Sequence, residues 1–243
     1  MFHGATVQGH DTYKLWVGTA IAGIVVAGFV YLLIFWAIFA YRRRGNDGIP
    51  RQFRENYRLE ILYTVLPLII VAGLFYFTVI TENKVDAVSN RPDEVVNVVA
   101  FRWGWRFIYA DGAHRSQGVI VQSPGLPQPL PADASSPEYP QLLLPIGSTI
   151  EIDLSSIDVI HGFYVPEFDF SRQAIPGIKN VFDFTPTRLG VFRGECVQYC
   201  GLYHSEMLFS VRVVTQPQFR SWLTAAQAAQ ATHGGGTPLP ANT

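Results

Sequence analysis

The part of the chain best suited to chemistry is Cys196-Val-Gln-Tyr-Cys200-Gly-Leu-Tyr-His204-Ser-Glu-Met207, near the C-terminus. It contains both cysteines of the 243-residue chain, followed closely by a histidine and a methionine. Thiolate, imidazole and thioether groups suit copper, whereas magnesium, calcium and manganese prefer oxygen ligands. The segment therefore indicates a copper site.

The number of cysteines bears on the kind of copper site. One cysteine with histidine and methionine is typical of a mononuclear electron-transfer copper, whereas two cysteines allow two thiolates to bridge a pair of copper ions. Each ion of a pair then needs one more strong ligand, so a second histidine is required elsewhere. His161 is the best candidate, because it lies in the apolar, strand-like segment Asp158-Val-Ile-His-Gly-Phe-Tyr-Val-Pro166.

Two other interpretations of the cysteine pair are open at this point. In an oxidising compartment Cys196 and Cys200 could form a disulfide. A structural zinc site of two cysteines and two histidines is also possible, but the methionine adds nothing for zinc. The remaining histidines have no companion ligands and are interpreted as ordinary loop or surface residues: His3, His10, His114 and His233.

The composition excludes several classes of protein. The chain is 49% hydrophobic and only 15% charged, against about 25% charged residues in soluble domains. High hydrophobicity with low net charge excludes global disorder, and two cysteines are too few for a disulfide-stapled small protein. A net charge of −1 disfavours binding to nucleic acid.

The low share of charged residues reflects two stretches that contain no charge at all. Residues 15–41 and 61–81 contain no charged residue over 27 and 21 positions, and each run can cross about 30 Å of hydrocarbon. Buried core helices are one alternative, and a cleaved signal peptide is another, although the first run exceeds a signal core and lacks a cleavage site. We predict transmembrane helices over 15–41 and 60–81; Pro67 is compatible with the second.

The charge of the connecting loop, 42–59, predicts the orientation. It holds six arginines against two acidic residues, which places it in the cytoplasm. Both termini, including an N-terminal segment 1–14, are then extracytoplasmic. The chain is expected to be a two-span protein of a bacterial plasma membrane, in contact with membrane lipid.

The remainder of the chain reads as an extracytoplasmic β domain over 82–216. Short β-branched and aromatic runs alternate with turn residues, which predicts an all-β sandwich or barrel. Residues 82–215 contain 15 acidic and 10 basic residues, a net charge of −5. We interpret the proline-rich stretch 123–141 as an irregular insertion, and 217–243 as a short helix with a flexible tail.

A two-helix hairpin followed by a β domain that ends in C-x3-C-G-x2-H-x2-M resembles subunit II of cytochrome c oxidase. The resemblance covers roughly 14–225 and includes Phe101-Arg-Trp-Gly-Trp-Arg-Phe107, the segment 158–161 and Ala174-Ile-Pro-Gly177. It implies a cupredoxin-like Greek-key domain carrying a dinuclear CuA centre. It further implies copper ligands at the following residues: His161, Cys196, the backbone carbonyl of Gln198, Cys200, His204 and Met207.

The sequence departs from this family at three positions. Gln198 stands where members usually have a glutamate whose carboxylate binds a magnesium ion shared with subunit I. A neutral amide is a poorer ligand for that hard cation, which weighs against the magnesium role. Gln173 and Ile178 replace an aspartate and an arginine beside the Ala-Ile-Pro-Gly segment, which weakens any carry-over of interface ion pairs.

The resemblance implies the electron-accepting subunit of a proton-pumping terminal oxidase. Cytochrome c, soluble or tethered, would dock on the acidic domain near Asp158, Glu167 and Asp169 and donate through Trp103. The copper pair would pass electrons to haem in subunit I, which also holds CuB and reduces oxygen to water; subunit III is a further expected partner. Glu60 is expected at the mouth of a proton-uptake path.

Three other functions remain open on the sequence. A CuA-bearing subunit of a nitric oxide reductase would carry the same ligands. A membrane-anchored copper carrier would use histidine and methionine to load and release the metal. The corresponding subunit of a quinol oxidase is disfavoured, because those relatives lack the copper ligands that are all present here.

Overall fold

The structure, a computed structural model, describes residues 4–42, 45, 48, 52–111, 114–123 and 139–233. Contacts divide the chain into two compact units, 14–83 and a second unit formed by 1–13 with 84–243. Most of the proline-rich stretch, the tail 234–243 and part of the 42–59 loop, with Arg43, Arg44, Asp47 and Arg51, lie outside the described residues, as does His3.

The first unit contains most of two long apolar helices, α1 (Val7–Ala40) and α2 (Tyr57–Val85). Both are long and apolar enough to cross a membrane, and Pro67 lies inside α2. α1 begins before the charge-free run because Thr6 Oγ1 accepts a hydrogen bond from the Gly9 N–H at 3.0 Å, which caps the helix.

The start of α2 is also capped by side chains. One of them is Glu60, the residue predicted to have a role in proton uptake. The Asn56 side chain accepts the Leu59 N–H at 3.3 Å, and Glu60 Oε1 accepts the Asn56 N–H at 2.9 Å. This reciprocal pairing satisfies donors that the first turn of a helix leaves free. α2 therefore begins at Tyr57, slightly before the expected position, and Glu60 has a structural function there.

The second unit is a sandwich of two five-stranded sheets, followed by α3 (Gln216–His233). Its strands are β1 (Glu94–Phe101), β2 (Gly104–Asp111), β3 (His114–Gln122), β4 (Gln141–Pro145), β5 (Ile150–Ser156), β6 (His161–Val165), β7 (Phe170–Ala174), β8 (Asn180–Phe184), β9 (Gly190–Cys196) and β10 (Leu208–Val214). One sheet has the order β3-β2-β1-β5-β8, and the other has the order β4-β10-β9-β6-β7. The prediction of a two-helix segment followed by a β domain is confirmed.

Alternating apolar residues build the core between the sheets. In β1, for example, Val96, Val98 and Ala100 are completely buried, as the two-residue period of a strand requires. The two sheets meet over a cluster of aromatic rings, in which the Trp105 ring of one sheet lies 5.8 Å from Phe163 and 5.1 Å from Phe209 of the other. Cys196 and Cys200 belong to the same buried cluster.

The N-terminal segment is part of the β domain. Ala5 donates its N–H to the Glu167 carbonyl at 2.6 Å and accepts the Thr187 N–H at 2.8 Å. Thr6 forms a β-bridge with Pro186, and both Ala5 and Thr6 are buried. The residues before α1 and the domain after α2 therefore meet.

Candidate metal centre

Strand pairing brings the predicted ligands to one end of the second sheet. β6 and β9 are antiparallel neighbours, with Phe163 opposite Cys196. His161 is the first residue of β6 and Cys196 is the last residue of β9, so both lie at the same end of these antiparallel strands. The loop from Cys196 to β10 then contributes the remaining donor groups. Residues 35 positions apart in the chain thus become neighbours.

The two cysteine sulfurs are close but not bonded. Cys196 Sγ and Cys200 Sγ lie 3.9 Å apart, far longer than the 2.05 Å of a disulfide, and both cysteines are free and buried. Metal–thiolate bonds are about 2.3 Å long for zinc. Two sulfurs at this separation can therefore bind the same ion, and the disulfide interpretation does not describe this structure.

Four further donor atoms face the sulfurs. His161 Nδ1 lies 3.9 Å from Cys196 Sγ, and His204 Nδ1 lies 3.6 Å from Cys200 Sγ. Met207 Sδ lies 3.9 Å from Cys200 Sγ. The carbonyl oxygen of Gln198 lies 3.3 Å from Cys196 Sγ. The structure therefore brings all six predicted donors together, with four donor atoms around the two thiols.

The histidine on β6 is completely buried, and its second ring nitrogen has a partner. His161 Nε2 lies 2.9 Å from Asp158 Oδ1. Burial lowers the pKa of His161, although Asp158 opposes the effect. A neutral ring that donates from Nε2 leaves the Nδ1 lone pair free to bind a metal, and such outer partners fix the ring orientation.

Asp158 is itself held by several donors. Its carboxylate accepts the backbone N–H of Val159 at 2.6 Å and of Arg102 at 2.7 Å. Partial burial raises the pKa of Asp158, but the hydrogen bonds from His161 and from these two amides outweigh it and lower the pKa to about 2. The carboxylate therefore remains charged and is fixed in place beside His161.

Burial also affects the second thiol. Desolvation and the neighbouring Cys196 raise the pKa of Cys200 to about 12. Without a metal, Cys200 is therefore a protonated thiol at neutral pH. Since metals bind the thiolate, metal binding must release the proton from this group.

Gly162 allows the cysteine loop to pass close to β6. A Cβ atom on Gly162 would lie 2.8 Å from the Val197 side chain and 3.0 Å from the Gln198 nitrogen. The Gly162 N–H points at Cys196 Sγ at 3.5 Å, and its carbonyl accepts the Val197 N–H at 3.1 Å. A larger residue here would push the cysteine loop away from His161.

Trp103, the residue predicted to receive electrons, contacts the cysteine loop. Its indole Nε1 donates to the Cys200 carbonyl at 3.1 Å. The ring also packs edge-to-face on Tyr203, with the ring centres 5.0 Å apart. Gly201, at φ +116, leaves room for it, since a Cβ there would lie 3.1 Å from the indole. A half-buried ring is thus joined to a cysteine by one hydrogen bond.

The three acidic residues predicted for docking are only partly exposed. Asp158 is directed towards His161 and also pairs with Arg102 at 3.4 Å. Glu167 Oε2 and Asp169 Oδ2 are each buried without a hydrogen-bond partner within the described part of the chain, and burial raises the pKa of Asp169. Of the three, only Asp158 lies against a predicted ligand.

The side chains at the site considered for magnesium, Gln198 and its neighbour Gln173, are neutral amides. Gln198 Oε1 accepts from Gln173 Nε2 at 3.5 Å, so two neutral side chains lie together where hard cations need charged oxygen ligands. These residues do not fit a magnesium ion. The copper role expected of Gln198 uses its backbone carbonyl and does not depend on this side chain.

Trp105 is a further residue of the site, and the sequence alone assigned it no function. It is a completely buried residue whose indole contacts both the His161 ring and the Met207 carbonyl. Its position two residues after Trp103 in an aromatic run was visible, but a strand aromatic is normally a core residue. The contact between Asp158 and His161 could have been predicted from the position of Asp158, three residues before the histidine.

Comparison with known proteins agrees with this geometry. The cytochrome c oxidase subunit II periplasmic domain matches residues 94–214, and the transmembrane domain of the same family matches residues 3–79. The fold and site define a membrane-anchored protein with a cupredoxin-like domain.

Named relatives point to the same family. The cytochrome c oxidase subunit 2 of Mycobacterium tuberculosis is 34% identical over 90% of this chain and 72% of its own length. The probable cytochrome c oxidase subunit 2 of Streptomyces avermitilis is 39% identical over 86% and 73%. The chain belongs to the cytochrome c oxidase subunit II family, and its relatives are subunits of an oxidoreductase complex.

A solved structure supports the fold of the β domain. The periplasmic domain of subunit II of the cytochrome oxidase of Bradyrhizobium japonicum is 25% identical, with a TM-score of 0.50. The match covers 58% of this chain and 99% of that domain. The similarity extends over the whole of the compared domain.

Proposed function

We propose that this chain is the electron-accepting subunit of a respiratory terminal oxidase and holds a dinuclear CuA centre. The observation that carries the proposal is the cluster of six donors, two of which are free thiols: His161, Cys196, the Gln198 carbonyl, Cys200, His204 and Met207. A single electron-transfer copper needs one thiolate, two imidazoles and one weak axial ligand. The second thiol and the additional carbonyl are what a second copper ion requires.

The donor set also argues against zinc. Two thiolates and two imidazoles would complete a tetrahedral zinc site. The Met207 sulfur and the Gln198 carbonyl would then have no function, yet each lies within 4 Å of a cysteine sulfur. Bound here, a copper pair would supply one-electron transfer with little change in its metal–ligand bonds.

The chain's own residues supply three conditions for such transfer. Cys196 and Cys200 are buried, which keeps water away. The pairing of β6 with β9 and the Asp158 contact hold His161 before metal binds. The half-buried Trp103 ring donates a hydrogen bond to the Cys200 carbonyl and so links the surface of the β domain to the cysteine loop. Ligands fixed by the scaffold need little rearrangement during electron transfer.

We further propose that cytochrome c donates through Trp103 and that haem in subunit I accepts the electrons for reduction of oxygen to water with proton pumping. Subunit III is a further proposed partner. The net charge of −5 over residues 82–215 supports attraction of a basic donor. Docking at Asp158, Glu167 and Asp169, and proton uptake at Glu60, remain predictions.

The contacts of Ala5 with residues of the β domain support the proposed orientation. Residues before α1 meet the domain that follows α2, which supports an arrangement with both ends of the helical pair on one side of the membrane. Together with the arginine-rich loop, this supports a bacterial plasma-membrane protein with both termini and the copper domain outside the cytoplasm.

The deciding experiment is metal analysis and EPR of the full chain purified with its oxidase partners. We expect three copper ions per complex, two in this chain and one as CuB in subunit I, and a hyperfine pattern from one electron shared between two copper nuclei. Co-purification of a haem-bearing subunit with oxygen consumption would support the oxidase over a copper carrier or a nitric oxide reductase. A single-copper spectrum, or zinc at full occupancy, would refute the proposal.

A further inference from the structure

We infer that Trp105 is a positioning residue for the copper centre, holding the Met207 and His161 segments in place before metal arrives. The inference rests on the proposed function. Trp105 is the second residue of β2 and is completely buried, unlike the half-buried Trp103. Its indole reaches two of the proposed ligand residues, Met207 through a hydrogen bond and His161 through a ring contact.

The hydrogen bond is made to the backbone of a ligand. Trp105 Nε1 donates to the Met207 carbonyl at 3.3 Å, and the Cys196 N–H donates to the same oxygen at 3.1 Å. One carbonyl thus joins β2, the end of β9 and the turn before β10. Movement of Met207 would therefore also disturb the backbone of Cys196.

The ring contact reaches a second ligand. The Trp105 indole lies edge-on to the His161 imidazole, with the ring centres 6.4 Å apart. Its other neighbours are Phe163 at 5.8 Å and Phe209 at 5.1 Å. The imidazole is therefore held between the Asp158 carboxylate at Nε2 and the indole, and its Nδ1 remains directed towards the sulfurs.

Trp105 is fixed by contacts that need no metal. Its backbone N–H donates to Ser123 Oγ at 3.0 Å, and its backbone carbonyl accepts the Ser123 N–H at 3.0 Å. Ala100 lies opposite it on β1, where a small side chain leaves space for the indole. The residue that positions the ligands is thus itself positioned by the scaffold, as preorganisation requires.

A glycine on β9 makes this packing possible. A Cβ atom on Gly194 would lie 2.2 Å from the Phe209 ring, so Phe209 can occupy its place against Trp105 only because position 194 has no side chain. Gly194, Phe209, Trp105 and His161 therefore form a continuous contact series from β9 to the metal site. This series explains why a large indole fits beside the ligands without displacing them.

The test compares Trp105→Phe with wild type in the full chain loaded with copper. Loss of an outer contact to a metal ligand typically weakens metal binding about 10- to 100-fold, so we expect at least about tenfold weaker copper retention against a copper(I) chelator. We also expect shifted copper–thiolate absorption bands and an altered EPR hyperfine pattern. Trp222→Phe is the matched control, because Trp222 packs on Tyr109 and Phe219, and it should keep the wild-type spectrum.

A second variant isolates the hydrogen bond and covers the case in which Trp105→Phe does not fold. Replacing Trp105 by benzothienylalanine keeps the ring shape but removes the N–H donor. Wild-type copper retention and spectra in this variant would overturn the inference, even where the unfolding temperature falls. Failure of the wild-type chain itself to bind a copper pair would instead refute the proposed function.

Discussion

The Nε2 atom of His161 lies 2.9 Å from Asp158 Oδ1, while Nδ1 of the same ring faces Cys196 Sγ at 3.9 Å. One imidazole thus connects a charged carboxylate to the thiol pair. The carboxylate is held by two backbone N–H groups, so the ring orientation is determined by the fold rather than by a metal.

This relationship predicts that Asp158→Asn weakens copper binding about tenfold, the lower end of the effect of removing an outer-sphere partner. The amide is neutral and presents a donor as well as an acceptor to the ring. Competition with a copper chelator measures the effect. Asp86→Asn is the control, since Asp86 also pairs with an arginine, Arg172; equal copper retention in both variants would contradict the prediction.

Cys200→Ser should abolish the copper pair. The hydroxyl is a poor ligand for copper, and only one thiolate would remain for bridging. We expect at most one copper per chain, by metal analysis, and an EPR spectrum from a single nucleus. Ser205→Ala, an exposed change in the same loop, should leave two copper ions bound. Two copper ions in the Cys200→Ser variant would rule out thiolate bridging.

Trp103→Phe should slow electron transfer from reduced cytochrome c while both copper ions remain bound. The phenyl ring preserves contact with Tyr203, but the hydrogen bond to the Cys200 carbonyl is lost. The lost bond should lower the free energy of unfolding by about 1 kcal/mol. Stopped-flow reduction of the copper centre measures the rate, and an unchanged rate would remove Trp103 from the electron path.

Asp183→Asn should stabilise the protein at neutral pH. Asp183 is only 2% exposed, its Oδ1 has no hydrogen-bond partner within the described residues, and it lies opposite Glu151 on the neighbouring strand. Burial, together with Glu151, raises the pKa of Asp183, although the Ser89 N–H at 2.5 Å opposes the shift. The folded state therefore binds this proton more tightly than the unfolded state.

The sign of the pH dependence follows from the direction of that shift. The stabilisation is fully present below the ordinary pKa of aspartate and is lost as the pH rises through the folded value. We expect Asp183→Asn to gain about 1 kcal/mol at pH 7 and nothing near pH 4, in denaturant unfolding of the full chain. Asp153→Asn, which loses an ion pair with Lys179 at 2.6 Å, should show no gain. A gain that is equal at both pH values would refute the ionisation argument.

Glu60→Gln should slow proton uptake without changing the copper spectrum. Glutamine can still accept the Asn56 N–H that Glu60 Oε1 accepts, so the cap of α2 is preserved and only the ionisable group is removed. Proton uptake by the reconstituted oxidase is the measurement. Glu55→Gln, an exposed change in the segment before α2, is the control. Unchanged uptake would leave Glu60 with the capping role alone.

Much of this protein follows from local features of the sequence. The two spans are visible because 27 and 21 consecutive residues lack charge, and hydropathy acts on each segment independently of the rest of the chain. The donor side chains of the cysteine loop are visible for a similar reason, since Cys196, Cys200, His204 and Met207 lie within twelve positions. The β-sandwich class follows from the two-residue period of its strands.

Other features depend on contacts between distant segments. The register of β6 on β9 decides whether His161 reaches Cys196. A slip of one residue would turn the side chains of the strand to the opposite face of the sheet. The direction of Asp158 towards His161 rather than solvent depends on backbone donors from Arg102 and Val159. The sequence alone led to the interpretation of Asp158 as a docking acid at the domain surface.

The sequence by itself determined which atoms are available for metal chemistry and which segments can cross a membrane, because composition and short spacing are properties of the chain alone. The tertiary structure decided which of two neighbouring tryptophans is buried against His161 and Met207 and which one meets the surface. It also placed Ala5 against the domain that follows α2. Such choices arise from packing and from hydrogen bonds between remote backbone groups, and these exist only once the two sheets are assembled.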